Sequence, residues 1–405
     1  MGGLLSGVRV LALEQILAGP FGSMLLGDLG AEVIKVEPPG GEASRGQAGP
    51  RYKGESSYYL AFNRNKKSIV LDLRTPSGKE AFSDLVKLSD VVLDNYRPGV
   101  MERLGLDYDS LKKINPKIIC CSITGYGSSG PYKDLPSYDI IAQGLSGILS
   151  VTGEPGGPPI KTGPSITDIG GGIYGALGVC AALVAREKTG AGQRIEVSLL
   201  DAAVSLLAFH FTWYFISGEV PGPVGSKHVQ VAPFGAYKAK DAWITLGACW
   251  PKIARTLGVE WMIDDPRFST GDARLQHREE VDRIITEELG KMNAEDWLEI
   301  FHKDDIPANL VYTIDKAAID PQILHNKMIL TMEHPLGGEI KLTGQPVKAP
   351  GSIREEEFTA PPTLGQHTHE VLTELLHYSD EKIRRIKEAE KEGAAELEKH
   401  LRKRF

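Results

Sequence analysis

Apolar positions in the first third of the chain fall into short runs, separated by stretches of helical periodicity. Val8–Leu13 is one such run, the pattern of a strand covered on both faces. Leu17-Ala18-Gly19-Pro20 then turns the chain. Pro20 suits the first turn of a helix that Gly30 ends near Leu29. Ala31–Val36 predicts a second strand, closed by Glu37. Further strands are predicted at Ser68–Leu73, Asp90–Asn95 and Ile118–Ile123, with a helix over Ser77–Leu88. Strands alternating with helices predict an α/β fold with a parallel sheet clad on both faces. Ligands bind such sheets beyond the carboxyl ends of the strands. The loops expected there are Gln15–Pro20, Leu73–Thr75, Asn95–Gly99 and Thr124–Gly130.

A helix of small apolar residues is predicted from about Gly172 to Arg186, then a strand at Arg194–Ser198 and one long apolar helix over Leu199–Ile216. Ser217–Lys227, rich in glycine and proline, reads as a linker. Beyond Val231 the pattern changes to a smaller α+β region. Its strands are expected at Phe234–Tyr237, Trp243–Leu246 and Leu310–Tyr312. Its helices are expected at Trp250–Leu257, at His277–Leu289 and after an Asn293 cap. Two more strands, Met328–Glu333 and Glu339–Leu342, precede a proline-rich crossing and a helix from His367. The tail Asp380–Phe405 alternates charge signs as a solvated helix does.

Composition narrows the classes of function. The 405 residues carry a formal net charge of −7 with cations scattered singly, which argues against a nucleic-acid surface. Leu199–Ile216 is the nearest approach to a membrane span, but Asp201 and His210 interrupt it, so no membrane segment is expected. Met1–Leu5 lacks the charged and apolar regions of a signal peptide. Four cysteines without CxxC or Cys/His spacing suit reduced thiols in the cytoplasm rather than structural zinc.

The chemistry concentrates at Asp168, in Gly163-Pro164-Ser165-Ile166-Thr167-Asp168-Ile169-Gly170-Gly171-Gly172. A carboxylate at a helix mouth, among glycines that admit a ligand to the backbone, suits a nucleophile beside free N–H groups. It equally suits a plain helix cap. The first turn, Gln15 to Gly22, lacks GxGxxG, which argues against NAD despite Glu37. His367-Thr368-His369 has no third ligand nearby, so no metal is expected. No GxSxG elbow marks a serine hydrolase. Arg74, Arg97 and Arg103 follow strand ends or nearby turns, where guanidinium groups hold phosphates.

Several motifs together resemble the family III CoA-transferases, the CaiB/BaiF family. They are Ala18-Gly19-Pro20, Gly27 to Glu37, Asn63-Arg64-Asn65-Lys66-Lys67-Ser68-Ile69, Asn95-Tyr96-Arg97-Pro98-Gly99 and Gly125-Tyr126-Gly127. The resemblance runs from Gly7 to Thr368. It implies a Rossmann-like large domain built from both chain ends and a small α+β domain, in an interlocked homodimer or paralogous heterodimer. The expected boundaries are 1–216, a linker at 217–230, the small domain at 231–320, a return at 321–345, and 346–405 back in the large domain. Asp168 stands at the family's catalytic aspartate. No tightly bound cofactor is implied; the substrates are an acyl-CoA and a free carboxylic acid. CoA contacts carry over to Leu17, Ala18, Leu71, Asp72, Leu73, Arg74, Asn95, Tyr96, Arg97, Arg103, Tyr138 and Asp139. Leu17 and Pro38 stand where formyl-CoA transferase has Gln and Arg, and Pro136 replaces a Lys, which argues against formate and oxalate. Tyr58-Tyr59, Asn63 to Lys67 and Met332-Glu333-His334-Pro335 resemble the succinyl-CoA–dicarboxylate branch, with Arg45, Arg51 and His228 as candidate anchors for a distal carboxylate. An α-methylacyl-CoA racemase keeps the aspartate but needs a histidine base where this chain has Tyr138, and a phenol is a poor base at neutral pH. A non-catalytic subunit of a heteromeric transferase is the third alternative.

Overall fold

The structure is a computed structural model; it describes residues 3–389 and 391, apart from 248. The expectations for Met1–Gly2 and for most of the tail after 389 lie outside the described residues. Two compact units divide the chain. One comprises the chain up to Gly147, Gly163–Phe209 and the chain from Gln322; the other comprises Ile148–Thr162 and His210–Pro321.

The first unit is built on six parallel strands: β1 (Arg9–Leu13), β2 (Glu32–Glu37), β3 (Lys66–Val70), β4 (Val91–Asp94), β5 (Ile119–Thr124) and β6 (Arg194–Ser198). Their order is β3-β2-β1-β4-β5-β6, that of a doubly wound nucleotide-type sheet. Central β1 shows why the pattern folds this way. Val10 pairs with both Val33 and Val91, and Val10 to Leu13 are wholly buried. Strand alternation sends Leu11 and Leu13 to a layer with Phe82 and Leu85, and Val10 and Ala12 to a layer with Leu26 and Val179. The first layer is supplied by α2 (Pro76–Lys87), capped by Thr75, whose hydroxyl accepts the Gly78 N–H. The second is supplied by α1 (Ala18–Asp28) and the 24-residue α4 (Ile166–Thr189). Two shorter helices, α3 (Asp139–Ser146) and α5 (Leu199–Leu206), complete that side.

Several expectations are corrected. The third strand lies at Lys66–Val70 rather than Ser68–Leu73, because the backbone of Ser68 and Val70 is held on its outer edge by the His367 and Thr368 side chains. The Asp168 helix starts at Ile166, six residues before Gly172. The Leu199–Ile216 run is two helices, Leu199–Leu206 and Ala208–Ser217. Helix Ile166–Thr189 is long and apolar enough to cross a membrane by length and composition, with 44% of the window that qualifies buried inside the protein, and the two helices of the Leu199–Ile216 run qualify only when taken together as one span bent by 64°.

The second unit holds a three-stranded antiparallel sheet, Ala308–Leu310, Trp243–Leu246 and Gly235–Lys238 in spatial order. Helices Arg278–Leu289 and Ala294–Lys303 pack on it through Ile285, Leu289 and Phe301, around a core of its own.

Candidate active site

The sheet grows outward in opposite directions from β1 and β4, so the loops that follow these strands part and leave a crevice at their carboxyl ends. Gln15 to Ala18, Asn95 to Pro98, Ile123 to Tyr126 and Asp168 line it. Asn95 ties the two loops together. Its Oδ1 accepts the Gln15 N–H at 2.8 Å, and its Nδ2 donates to the Gln15 carbonyl at 2.9 Å.

Asp168 is the third residue of α4, inside the first turn, where a carboxylate interacts favourably with the helix dipole. It does not occupy the cap position. That position belongs to Ser165, whose side chain makes no capping bond. The acceptor comes from another helix instead. Asp139, buried at the start of α3, takes the Thr167 N–H at 3.0 Å and the Thr167 hydroxyl at 2.9 Å on Oδ1. Its Oδ2 accepts from Gln143 Nε2 at 2.7 Å. Asp139 thus fixes the turn that carries Asp168, an internal role in place of the expected CoA contact. Its neighbour Tyr138 is 65% exposed and lines the crevice.

A second helix opens on the same crevice. The first bond within α1 runs from the Phe21 N–H to the Leu17 carbonyl at 2.7 Å. The N–H groups of Ala18 and Gly19 therefore have no partner inside the helix, and Pro20 has none to satisfy. Glycines bring the two helix starts together. A Cβ on Gly172 would stand 2.8 Å from the Ala18 carbonyl oxygen, and one on Gly22 would stand 2.9 Å from the Gly172 carbonyl oxygen. Of the three glycines after Asp168, Gly172 serves this close packing, Gly171 faces Leu199 and Ile123, and Gly170 faces Ala202 and Leu206; all three are buried, which corrects the expectation that they admit a ligand.

Tyr58 stands in the field of this carboxylate. Burial, then the charges of Asp168 and Asp139, push its phenol up to about 12, so it stays a hydrogen-bond donor at neutral pH. Its ring meets Phe62 edge-on, and Phe62 meets Phe21 of α1.

A groove lined by charges of both signs adjoins the crevice, its acids being Asp94, Glu102, Asp134 and Glu196. Arg97 and Lys133 line both, and Arg103 and Arg194 line the groove. Arg194 pairs with Glu196 at 3.5 Å, whereas Arg97, Arg103 and Lys133 have no carboxylate partner among the described residues. Beneath the groove, Asp94 accepts from Ser122 Oγ at 2.7 Å and from the Tyr96 N–H at 3.2 Å, and burial pushes it up to about 6.

Other expected contacts lie elsewhere. Because β3 ends at Val70, Leu71 and Leu73 fold into the core, and Arg74 grips Asp72 through two bonds of 2.8 and 2.7 Å. None of the four lines the crevice or the groove. Arg45 is held by both Glu37 oxygens at 2.7 Å, by Glu55, and by the face of Tyr59 at 3.8 Å, so its charge is matched internally and it is no carboxylate anchor. Arg51 donates to the carbonyls of Arg45, Gln47 and Gly54 and braces its own hairpin. His228 belongs to the second unit, its Nδ1 accepting the Gln230 N–H at 3.1 Å. Sequence reading assigned no role to Tyr58 or Lys133. Extending the loop after the fifth strand by three residues would have reached Lys133.

A doubly wound sheet with a carboxylate at its switch point and cations alongside defines a protein that handles an anionic nucleotide-like ligand. The sequence matches the family model of CoA-transferase family III over residues 5–368. It is 37% identical over 384 residues to succinyl-CoA:glutarate CoA-transferase of Homo sapiens, covering 94% of this chain and 87% of that protein. It is 38% identical over 383 residues to succinate–glutarate CoA-transferase of Agrobacterium fabrum, covering 92% and 95%. The crystal structure of a CAIB/BAIF family protein from Brucella suis superposes with a TM-score of 0.82 at 34% identity, over 93% of this chain and all of that one. The chain belongs to CoA-transferase family III and is an enzyme of the CoA-transferase type.

Proposed function

We propose that the protein transfers CoA from succinyl-CoA to a second dicarboxylate, with Asp168 as nucleophile. The observation that carries this reading is the carboxylate in the first turn of α4, in one crevice with the start of α1, whose first N–H groups have no partner within that helix. An Asp168 oxygen attacks the thioester carbonyl, the C–S bond breaks, and an aspartyl anhydride and CoA thiolate result. The thiolate attacks the Asp168 carboxyl carbon, releases succinate and leaves an aspartyl-CoA thioester. The acceptor carboxylate attacks that thioester, forming a second anhydride and freeing the thiolate. Thiolate attack on the acceptor carbonyl then releases the new acyl-CoA and restores Asp168. Each tetrahedral intermediate carries an oxyanion, which the Ala18 and Gly19 N–H groups and the Tyr58 hydroxyl are suited to receive.

Leu17, Ala18, Asn95, Tyr96 and Tyr138 would contact the pantetheine end, and Arg97, Arg103 and Lys133 the phosphates. Of Leu71 to Arg74 only Arg74 is exposed, so it alone would meet the far end of CoA. The dicarboxylate preference rests on the human and Agrobacterium relatives, whose names give succinyl-CoA, succinate and glutarate. A racemase would need a second base, and no histidine is among the described residues lining the crevice. The active form in this reading is a dimer, homodimeric or formed with a paralogue. In its support, α3 exposes Ile140, Ile141 and Leu145, and α4 exposes Ile173, Leu177 and Val184. The reading places the enzyme in the cytoplasm, which four unpaired cysteines suit.

The test is mass spectrometry of the protein incubated with succinyl-CoA and trapped with hydroxylamine. A hydroxamate on Asp168, absent in Asp168→Ala, is the expected result. No adduct with any of several acyl-CoA donors would sink the nucleophile assignment.

A further inference from the structure

Beneath the loop between β1 and α1 lies a quartet of buried charges that the transfer chemistry does not use. Glu14 Oε1 accepts from Lys66 Nζ at 2.7 Å and from Lys35 Nζ at 3.3 Å, and Lys35 also pairs with Glu42 at 3.6 Å. All four side chains are at most 2% exposed. Two carboxylates and two ammonium groups balance. Even so, desolvating such a set costs about as much as its mutual attraction returns, so stability alone does not account for it.

Glu42 links the quartet to the crevice. Its Oε2 accepts the Ser44 N–H at 2.7 Å and the Ile16 N–H at 3.2 Å, and its Oε1 accepts the Ser44 hydroxyl. Ile16 lines the crevice with a φ of 66°. A β-branched residue is an outlier in that left-handed region, at a cost of roughly 1–3 kcal/mol. Something must hold it there. On one side Gln15 is held through both backbone groups by Asn95. On Ile16 itself the hold is Glu42, whose carboxylate is oriented by Lys35 at 3.6 Å. The next residue, Leu17, is the N-cap of α1, so the turn at Ile16 sets where the Ala18 and Gly19 N–H groups point.

We propose that Glu42, with Lys35, is a positioning residue for CoA transfer. It locks Ile16 in its left-handed turn, so that the start of α1 is aimed at the carbonyl that reacts with Asp168. This rests on the reading of Asp168 as nucleophile.

The experiment measures turnover per Asp168 labelled, together with KM for succinyl-CoA, in wild type, Glu42→Gln, Ile16→Gly and the double variant. Glycine adopts the left-handed turn without strain and removes the need for the lock. Glu42→Gln is expected to lower kcat on the order of 10²-fold, the cost of ~1 Å of misplacement, with KM changed less than about threefold. The same change made in the Ile16→Gly background should cost much less. A purely structural role would instead lower the yield of labelled protein and leave turnover per label unchanged, which overturns the proposal. If Glu42→Gln does not fold, Glu42→Asp keeps the charge while withdrawing the carboxylate from Ile16, and full turnover there also overturns it. Wild type without label on Asp168 would bring down the nucleophile reading and this inference with it. Normal labelling with full turnover in the Glu42 variants brings down this inference alone.

Discussion

Two aspartates in the first unit have opposite relations to burial. Asp139 is buried and saturated with donors from Thr167 and Gln143, so its loss frees donors that nothing replaces. Asp139→Ala is expected to destabilise the protein by about 1–3 kcal/mol and to lower kcat, because the turn carrying Asp168 loses its acceptor. Urea unfolding read beside turnover checks both; wild-type kcat would place the role in stability alone. Asp94 receives only a hydroxyl and one N–H, and burial raises it from 3.8 to about 6. Between those values the folded protein holds a proton that the unfolded chain has lost. The contribution of Asp94 is therefore complete below about pH 4 and is lost as pH rises through about 6. Asp94→Asn, a neutral isostere, should raise stability at pH 7 by on the order of 2 kcal/mol and change it little at pH 3.5. Unfolding at the two pH values checks this, and an equal effect at both would rule out the ionisation argument.

At the scale of elements, glycine position decides whether α1 and α4 can meet. A Cβ on Gly172 would press on the Ala18 carbonyl at 2.8 Å and the Gly22 nitrogen at 3.0 Å, both backbone atoms that cannot step aside. A Cβ on Gly170, two residues away, would meet only Ala202 and Leu206 side chains at 3.5 and 3.6 Å, ordinary contact. Gly172→Ala should therefore cost roughly 1–3 kcal/mol and impair turnover by moving one helix start from the other. Gly170→Ala should be neutral or stabilise by up to about 1 kcal/mol through helix propensity. Thermal melts of the pair check the contrast in sign. The same helix shows where sequence reading stopped. The Gly170 to Gly172 run looks like a poor helix interior, so the start was expected at its end. What starts the helix at Ile166 is Asp139, 27 residues before it in the chain and on another element, and local propensity cannot contain that. Strands β1 and β4 were legible because each is buried on both faces and is mostly apolar, and β2 and β5 because β-branched residues and short apolar stretches dominate them although β2 carries Lys35 and β5 carries Ser122. Edge strand β3 was misplaced because its register is set by His367 and Thr368 at the far end of the chain. The crevice was legible in outline, since switch-point loops follow from strand order. Glu42 carries no pattern of its own, and Tyr58 was read only within the Tyr58-Tyr59 resemblance, because what brings each to the site is contact between distant segments.

At the scale of the whole molecule, the apolar stripe on α4 asks for a covering. Ile173, Leu177 and Val184 are 47%, 60% and 62% exposed, and they follow one another at helical spacing on the face opposite Gly171, Gly172 and Gly175. Stripes of this kind on a long, otherwise well-packed helix mark protein contact. A second copy of the chain is the covering argued above, and in a symmetric pair each substitution counts twice. Burying one leucine is worth roughly 2 kcal/mol. Leu177→Glu should then weaken the pair by about 4 kcal/mol or more, close to 10³-fold in Kd. Sedimentation velocity over a dilution series would show the variant dissociating at concentrations where wild type stays paired. If α4 is covered by the partner, the helix that carries Asp168 is part of the interface. Turnover of the variant should then fall with dilution and recover at high protein concentration. A variant that stays paired, or a monomer with full turnover at every dilution, would separate the stripe from both assembly and activity.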